Sequence, residues 1–528
     1  MFQANLTVDR DFPIAPLDRR LFGIFVEHMG RCVYTGIFEP GHPTADEQGF
    51  RGDVAALTRE LGATVVRYPG GNFMSGYDWE DGVGPRADRP VRLDLAWYST
   101  ETNQVGTNEF IPWARSVGME PMLGVNLGTR GPDEARHYLE YVNHPGGTTL
   151  SEQRRAHGTD QPHDVKLWCL GNEMDGPWQI CRKTATEYGR IALETGKLMK
   201  MVDPTIELAA CGSSAHDMPT YGAWEDTVLE HCFDVVDYVS LHTYFTKYRL
   251  PTLAPVGTVP TTMSTEEYFA QIETTARFID EVVAVADAVA ARRHSSKRIM
   301  LSFDEWNVWY RTRRDREGRV EQGWPVAPEI LEEPYTMLDA LTFGGACISL
   351  LNHADRVKAG CLAQLVNAIA PIMTETGGSA WRQTIFYPFA DFSNLGRGQV
   401  LRAAVDCPTY AANYFDPRGT VDAYYPLPAV PYLKLSAVHD EAAAALTLFL
   451  LNRHLTEPLT LELTARGFAG LKVGRAHQLC DADLDALNTH DEPDRIKPNP
   501  LGDIAVRDSR LTATLAPASW SVIRLHRA

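Results

Sequence analysis

Residues 167–179 read LWCLGNEMDGPWQ, and the stretch changes abruptly in the middle from apolar residues to glycine and polar residues. The first four residues are all apolar, as in a strand that is buried on both faces. A glycine follows, then Asn172 and Glu173, and Gly176 and Pro177 come shortly afterwards. A simple loop needs neither an amide nor a carboxylate to end a strand. The pattern therefore predicts a buried strand that carries polar groups to a site.

Eight apolar runs of this kind lie between residues 20 and 390, separated by longer segments with helical periodicity. Apolar strands that alternate with amphipathic helices are typical of a parallel sheet with helices outside it. Eight such units predict an α/β fold, the (β/α)8 TIM barrel, and a doubly wound open sheet is the alternative. The predicted strands are LFGIFVEH (21–28), TVVRYPGGN (64–72), PMLGVNLG (121–128), VKLWCLGNE (165–173), IELAACGSS (206–214), YVSLHTYF (238–245), IMLSFDEW (299–306) and ISLLNHAD (348–355).

Polar side chains fall at the carboxyl ends of these runs. In a (β/α)8 barrel the active site is built at that face, so these side chains are the first candidates for function. They are Glu27, Asn72, Asn126, Asn172, Glu173, His242, Tyr244 and Glu305.

The composition excludes some functions. The 528 residues carry 50 Lys and Arg against 68 Asp and Glu, a net charge of −18, which argues against nucleic acid as a partner. The start of the chain has no secretory signal pattern, and no apolar stretch is long enough to predict a membrane span. Nine scattered cysteines without CxxC spacing fit reduced thiols. We therefore expect a cytoplasmic protein with no membrane partner.

The pattern changes after about residue 390. Helical periodicity fades, and strand-like stretches with period-two alternation appear, which predicts a C-terminal antiparallel β-sandwich. The N-terminal NLTVD stretch alternates as well and is expected to join that sandwich. The expected domains are therefore an N-terminal strand over residues 1–18, the catalytic barrel over 19–392 and the sandwich over 393–528.

A second carboxylate lies in LSFDEWNVWY, where Asp304 and Glu305 are adjacent. Neighbouring side chains of a strand point to opposite faces, so only one of the two can face the mouth of the barrel. Glu305 ends the apolar stretch and precedes Trp306 and Trp309, whose rings suit the face of a sugar. We select Glu305, and we expect Asp304 to make a structural ion pair or hydrogen bond.

Glu173 and Glu305 end the predicted fourth and seventh strands, and a carboxyl pair is a known solution for hydrolysing a glycosidic bond. One carboxyl protonates the leaving oxygen, and the other attacks the anomeric carbon or activates a water molecule. Asn172 can hydrogen-bond a sugar hydroxyl beside that carbon. Taken singly, an Asn-Glu pair at a strand end is more often a helix cap or a surface turn.

Several motifs together resemble the α-L-arabinofuranosidases of glycoside hydrolase family 51. The resemblance runs in matching order over nearly the whole chain, and it implies a barrel with a sandwich, a retaining double displacement, and neither metal nor organic cofactor. The motifs are FGIFVEHMGRCVYTGIFEP, VVRYPGGNFMSGYDWEDGVGP, CLGNEMDGPWQ, LSFDEWNVWY, CLAQLVNAIAPIMTE and TIFYPF.

By this resemblance Glu173 matches the general acid/base and Glu305 the nucleophile. Arg67 resembles the arginine whose charge would keep the nucleophile ionised. The other implied substrate-binding positions are Glu27, Asn72, Asn172, His242, Tyr244, Trp309 and Gln364.

These implied positions have structural alternatives. Arg67 could form an ion pair at the bottom of the barrel, Tyr244 could close the core, and His242 could be a satisfied structural histidine. His spacing such as HExxH, which would indicate a metal site, does not occur.

We therefore expect an exo-acting α-L-arabinofuranosidase that removes terminal groups from arabinan, arabinoxylan fragments and smaller arabinosides. The rivals are a β-xylosidase or endo-β-glucanase on the same scaffold and a catalytically silent carbohydrate-binding protein. The resemblance implies a homo-oligomer, a hexamer. Polar segments 146–163, 247–262 and 311–330 are expected to be irregular and to shape the leaving-group side, with Trp324 as a lid or a subunit contact.

Overall fold

The computed structural model describes residues 2–249, 253, 259, 261–310, 323–415 and 424–527. Within this part of the chain, eight parallel strands close into a barrel. The predicted (β/α)8 barrel is therefore confirmed, and the alternative of an open doubly wound sheet is wrong.

The first part of the chain contains the barrel and three small hairpins. Its strands are β1 (Phe2–Pro16), β2 (Gly23–Phe25), β3 (Val65–Tyr68), β4 (Arg92–Asp94), β5 (Ser99–Glu101), β6 (Glu120–Val125), β7 (Leu167–Leu170), β8 (Glu207–Cys211), β9 (Tyr238–Phe245), β10 (Tyr248–Arg249), β11 (Thr261–Thr262), β12 (Met300–Val308), β13 (Val357–Ala363), β14 (Ile372–Thr374) and β15 (Ala380–Arg382). The barrel order is β2-β3-β6-β7-β8-β9-β12-β13, with β13 pairing again with β2.

The helices pack around the outside of the barrel. They are α1 (Gly52–Leu61), α2 (Thr107–Ser116), α3 (Pro132–Asn143), α4 (Thr149–Ala156), α5 (Ala185–Val202), α6 (Ala223–Cys232), α7 (Thr265–Ala270), α8 (Ile272–Arg292), α9 (Met337–Asn352) and α10 (Phe386–Leu395). Local sequence fixes where some of them begin. In α5, for example, Thr184 and Glu187 form a capping box that satisfies free backbone N–H groups at the first turn.

The predicted position of the eighth barrel strand is wrong. Residues 348–355 lie mostly in the last turns of α9, and the strand is β13, which follows directly. Helix α9 is buried along nearly its whole circumference, so its sequence has no polar face that would reveal a helical period. A short continuous apolar run does not by itself distinguish a strand from a buried helix.

The C-terminal part is rich in β-sheet. Its strands are β16 (Gln399–Asp406), β17 (Thr409–Phe415), β18 (Tyr424–Pro431), β19 (Leu433–Asp440), β20 (Ala445–Asn452), β21 (Leu459–Arg466), β22 (Leu471–Leu479), β23 (Asn499–Pro500), β24 (Ile504–Arg507), β25 (Arg510–Leu515) and β26 (Ser519–Arg527). In the described residues, ten strands form one sheet in the order β23-β22-β26-β20-β19-β16-β1-β21-β25-β24.

This sheet folds back on itself around its own core, as a sandwich does. Side chains from β1, β19, β20, β21, β25 and β26 share one apolar cluster, and β22 contacts β24 although the two strands lie near opposite ends of the order. The pairs are antiparallel except one, because β1 pairs antiparallel with β16 but parallel with β21. Strand β1 comes from the N-terminal end of the chain and has no hairpin connection to its neighbours, so it can pair in parallel with β21.

The N-terminal strand thus lies in the middle of the C-terminal sheet, and α9 packs against β19 and β20 of that sheet. These contacts support the domain division at residues 18/19 and 392/393, which stays our proposal.

The expectation for segment 146–163 is wrong in two respects. It contains a regular helix, α4, and it connects α3 to β7. Connections from a helix to the next strand enter a barrel at the amino-terminal face, which is opposite the active site. Arg154 in α4 accordingly donates to the carbonyls of Tyr141 and His144 at the end of α3.

The structure describes the polar segments 247–262 and 311–330 only in part. Within 247–262, residues 250–252, 254–258 and 260 lie outside the described residues, and so do residues 311–322 of the segment 311–330. In the parts of the chain that are described, every helix is too short or too polar to cross a membrane.

Candidate active site

The first carboxylate stands just beyond the end of β7. Gly171 has a φ of +85°, a left-handed conformation that glycine adopts without strain. Glu173 has a φ of +45°, which is uncommon for a residue with a side chain and is often found at functional sites. The turn places its carboxylate at the mouth of the barrel, where Oε1 lies 2.9 Å from Nδ1 of His242 and Oε2 accepts from Nε1 of Trp178 at 2.6 Å.

The second carboxylate belongs to β12. Glu305 Oε2 accepts a hydrogen bond from Arg67 at 2.9 Å, and Oε1 accepts one from the hydroxyl of Tyr244 at 2.7 Å. Asp304 is fully buried and accepts from Ser240 Oγ at 2.6 Å. The two adjacent acids therefore accept from different hydroxyl groups, Asp304 from Ser240 and Glu305 from Tyr244.

The two candidate catalytic carboxylates are close together. Glu173, His242 and Glu305 each offer one ligand atom, and these atoms lie within 4.8 Å of one another. Retaining glycosidases hold their two carboxyl groups about 5–5.5 Å apart, whereas inverting enzymes need about 6.5–9.5 Å to admit a water molecule. One oxygen of each carboxyl thus lies close to the other group, as in the retaining arrangement.

His242 lies between the acids. Burial alone would lower the pKa of its imidazole, but three surrounding carboxylates outweigh that effect and raise the pKa to about 10. These carboxylates belong to Glu305, Asp304 and Glu173. His242 is therefore a cation at neutral pH, and both of its ring nitrogens donate.

The charge state of Glu305 depends on its neighbours. The pKa of the Glu305 carboxyl is raised above its usual value, because burial and the charge of Glu173 outweigh the opposing charges of His242 and Arg67. When Glu173 carries its proton, that repulsion is lost and the two cations favour ionised Glu305. The arrangement can thus hold one protonated and one ionised carboxyl at the same time.

Arg67 connects this pair to two amides. Besides Glu305, its guanidinium donates to Oδ1 of Asn172. The amide nitrogen of Asn172 in turn donates to Oδ1 of Asn72 at 3.3 Å. Arg67 is 1% exposed and comes from β3, near the mouth, so the alternative of an ion pair at the barrel bottom is wrong.

Glu27 forms a third buried carboxylate. It accepts from the backbone N–H of Phe73 at 2.9 Å, from Nε1 of Trp97 at 2.8 Å and from Nε2 of Gln364 at 3.0 Å. Burial raises the pKa of Glu27 to about 8, although the hydrogen bond from Phe73 opposes the rise. A Cβ atom on Gly71 would lie 2.9 Å from Oε2, which explains the glycines before Asn72.

Gln364 is held by Glu27 at both ends of its side-chain amide, because its Oε1 also accepts from the Glu27 backbone N–H at 2.9 Å. These contacts orient Glu27. Trp309 follows β12, and its ring lies edge-on to Tyr244 with 5.1 Å between centroids.

Ten of the sequence-predicted site residues thus lie at the carboxyl face of the barrel, and hydrogen bonds or ring contacts connect them in two groups. Asn126 is not connected to them, since its amide donates to the Tyr77 carbonyl and to Thr129. The sequence reasoning missed two tryptophans, Trp97 and Trp178, which donate to Glu27 and Glu173. The only signal for Trp178 was its position in the GNEMDGPW motif, five residues after the acid.

Among the described residues, Glu173, His242 and Glu305 are the group that could hold a metal ion. The guanidinium of Arg67 and the imidazolium of His242 already supply two positive charges to these carboxylates. The carboxylates of this group thus already have positively charged partners within the protein.

Comparison with known proteins bears on the whole chain. The domain described as "Alpha-L-arabinofuranosidase 1 domain" matches residues 57–252, and "Alpha-L-arabinofuranosidase C-terminal domain" matches residues 304–519. An "Intracellular exo-alpha-(1->5)-L-arabinofuranosidase" from Halalkalibacterium halodurans is 52% identical over 99% of both chains. An "Exo-alpha-(1->6)-L-arabinofuranosidase" from Bifidobacterium longum is 48% identical over 99% of this chain and 97% of its own.

The fold is shared as well. A solved family 51 α-L-arabinofuranosidase from Bifidobacterium longum superposes with a TM-score of 0.90 at 44% identity, covering 100% of both chains. The barrel and its paired carboxylates define the class, which is glycoside hydrolase. Within that class, the chain belongs to the α-L-arabinofuranosidases of glycoside hydrolase family 51.

Proposed function

We propose that the chain is an exo-acting, retaining α-L-arabinofuranosidase in which Glu305 is the nucleophile and Glu173 the general acid/base. The observation that carries the proposal is the proximity of the two carboxylates, since one oxygen of each lies within 4.8 Å of the other. That separation suits direct attack on the anomeric carbon and not attack by an intervening water molecule.

In the first step Glu305 attacks C1 of the arabinofuranosyl group and forms a C1–O bond while the bond to the leaving oxygen breaks. Glu173 gives its proton to that oxygen. In the second step a water molecule attacks C1, Glu173 takes the proton, and the bond to Glu305 breaks. Two inversions at C1 preserve the anomeric configuration.

Charge in the site supports these roles. Arg67 and Tyr244 both donate to the Glu305 carboxylate, so they hold its oxygens in place before attack. Asn172 is fixed by Arg67 and lies next to Glu173 in the chain, where its amide can bind a hydroxyl beside C1. A bond of this kind strengthens as positive charge develops on the sugar.

We assign the terminal sugar's pocket to Glu27, Asn72, Asn172 and Gln364. Glu27 has two carboxylate oxygens with several acceptor sites, so a sugar hydroxyl can add to the three donors already present. Trp97 and Trp309 supply the apolar surface that a sugar ring needs.

The linkage is a finer question. The named relatives act on α-(1→5) and α-(1→6) linkages, and both are about equally similar to this chain. We propose terminal α-(1→5)-linked arabinofuranosyl groups of arabinan oligosaccharides as the main substrate, because the names of five of six relatives that match at 43–52% identity specify that linkage. Equal rates on α-(1→5)- and α-(1→6)-linked arabinobiosides would contradict this choice.

The names of several relatives also include the word intracellular, which supports a cytoplasmic location. We further propose that the protein is a homo-oligomer, a hexamer. Light scattering measures this directly, and a monomeric mass would reject it.

The decisive experiment uses 4-nitrophenyl α-L-arabinofuranoside with NMR detection of the first anomer released. We expect the wild type to release the α-anomer and Glu305→Ala to lose at least about 10⁴-fold in kcat. Release of the β-anomer would reject the retaining mechanism. Hydrolysis of only the 4-nitrophenyl xyloside or glucoside would show that the substrate sugar is not arabinofuranose. Binding without hydrolysis of any glycoside would favour a silent carbohydrate-binding protein.

The acid/base role needs a separate test. Glu173→Ala should slow benzyl arabinoside, whose leaving group needs a proton, far more than the 4-nitrophenyl substrate. Azide should restore turnover of the 4-nitrophenyl substrate and yield an α-arabinosyl azide, because it opens the covalent intermediate with a second inversion at C1. Full activity of Glu173→Ala on oligosaccharides would show that another group supplies the proton.

A further inference from the structure

We propose that Trp178 is a positioning residue for Glu173, and that its indole N–H stabilises the carboxylate form of Glu173 and so sets the alkaline limit of the acid-assisted step. This inference rests on the proposed function, since it concerns the acid/base of that reaction. It adds a residue that lies outside the group predicted from the sequence.

The contact is short and specific. Nε1 of Trp178 donates to Oε2 of Glu173 at 2.6 Å, which is typical of a hydrogen bond to a charged acceptor. The turn between the two residues is shaped for it, because a Cβ atom on Gly176 would lie 2.6 Å from Cε2 of the indole ring. Only glycine at position 176 lets the ring lie back over the turn and reach the carboxylate.

Both oxygens of Glu173 accept in this arrangement. His242 Nδ1 faces Oε1 at 2.9 Å, and Trp178 faces Oε2. An ionised carboxylate only accepts hydrogen bonds, so two donors favour it over the protonated acid. His242 is held by β9 and is 2% exposed, whereas Trp178 is half-buried on a loop, so the Trp178 bond can be removed with less damage to the barrel.

Other charged and titratable groups also act on Glu173. His242 and Tyr244 face it from β9, Glu305 faces it from β12, and Asp175 lies two residues further along the same turn. The charges of Glu305 and Asp175 oppose ionisation of Glu173, whereas the imidazolium of His242 favours it. Trp178 differs from these groups because it is neutral at every pH, so its removal leaves the other titrations in place.

The consequence for catalysis has a definite sign. The glycosylation step requires protonated Glu173, so kcat/KM falls on the alkaline side as Glu173 ionises. Without the indole donor the carboxylate is less stable, and the protonated acid persists to higher pH. We call the pH range in which kcat/KM falls the alkaline limb of the profile. A purely structural role for Trp178 would lower activity at all pH values without moving that limb.

The test measures kcat/KM against pH for Trp178→Phe with benzyl α-L-arabinofuranoside. The phenyl ring keeps most of the packing and removes the N–H. We expect the alkaline limb to move up by about one pH unit, since a hydrogen bond to a charged group has about that effect. With 4-nitrophenyl arabinoside, whose leaving group needs little help, the pH profile should change much less.

Gly176→Ala provides an independent route to the same state. The added methyl group pushes the ring away from Glu173 but leaves the indole present, so the same upward movement of the limb is expected. The double variant should move the limb no further than either single one, because both remove one interaction. Trp381→Phe, whose ring packs against His490, is the matched control and should leave the limb unchanged.

The outcomes separate the two proposals. If the wild type hydrolyses both arabinosides and the limb stays in place in Trp178→Phe and in Gly176→Ala, with circular dichroism showing folded protein, the inference about Trp178 is overturned. A limb that moves down would overturn it as well. If the wild type hydrolyses neither arabinoside, it is the proposed function that fails.

Discussion

At the scale of single residues, the site depends on backbone geometry as much as on side-chain chemistry. Glu173 occupies a left-handed conformation that costs of order 1 kcal/mol for a residue with a Cβ atom. The surrounding bonds compensate for that cost, because Arg67 holds Asn172 on one side and Trp178 holds the Glu173 carboxylate on the other. The turn therefore presents the amide and the acid in one fixed orientation.

Tyr244→Phe tests the hydrogen bond to Glu305, the proposed nucleophile. The hydroxyl donates to Glu305 Oε1 at 2.7 Å, and its loss removes one of the two donors that orient the attacking carboxylate. We expect kcat to fall about 10- to 100-fold with little change in stability, as for a hydrogen bond to a charged group. Tyr410→Phe, whose hydroxyl bonds the Glu266 carbonyl, is the control. An unchanged kcat for 4-nitrophenyl arabinoside would remove Tyr244 from the mechanism.

At the scale of elements, α9 is the helix that the sequence pattern concealed. It packs against α8 and α10 of the barrel layer and against β19, β20 and β26 of the C-terminal sheet, so it is apolar on nearly every side. Two adjacent glycines allow these close contacts. A Cβ atom on Gly344 would lie 2.6 Å from Trp520, and one on Gly345 would lie 2.4 Å from Ile272.

Gly345→Ala should therefore destabilise the protein although alanine favours helices. The methyl group has to displace Ile272 and Leu451, and overpacking of this kind costs about 1–3 kcal/mol. Urea unfolding followed by tryptophan fluorescence measures the change. Gly41→Ala is the control, because nothing lies within 4 Å of the added atom there. Equal stability of the two variants would show that the helix can shift without cost.

At the scale of the whole molecule, buried ion pairs connect the barrel helices to the C-terminal sheet. Glu273 at the start of α8 accepts from Arg453 at 2.6 Å and from Lys434 at 3.2 Å, and both cations belong to the C-terminal part. Burial would raise the pKa of Glu273, but the charges of Lys434 and Arg453 outweigh it and lower the pKa to about 2. The two layers are thus held together by charge as well as by apolar packing.

Glu273→Gln should show this as a pH-dependent loss of stability. An acid with a lowered pKa in the folded state contributes stability above its unfolded value near 4.5, and that contribution is lost as pH falls toward 2. We expect the variant to be less stable by about 3 kcal/mol at pH 7 and the difference to shrink by pH 3. Urea unfolding at both values measures it, with Glu462→Gln, an exposed strand position, as the control. A difference independent of pH would point to lost packing instead.

The sequence determined the barrel and predicted the two acids at its mouth, because both follow from local patterns. Apolar strands in alternation with helices admit few folds, and Glu173 and Glu305 each stand where such a strand meets polar sequence. The eighth strand was misplaced because α9 is buried on all sides, and the residues that bury it, such as Ile272 and Trp520, belong to other elements far along the chain.

Only the tertiary structure decided which groups touch. The N–H of Trp178 meets Glu173 because the turn at Gly176 folds back, and the parallel pairing of β1 with β21 joins opposite ends of the chain. His242 becomes a cation because β12 and the turn after β7 bring three carboxylates around it. Contacts and charge states depend on distances across the fold, whereas the sequence pattern records only the local preference of each segment for burial or water.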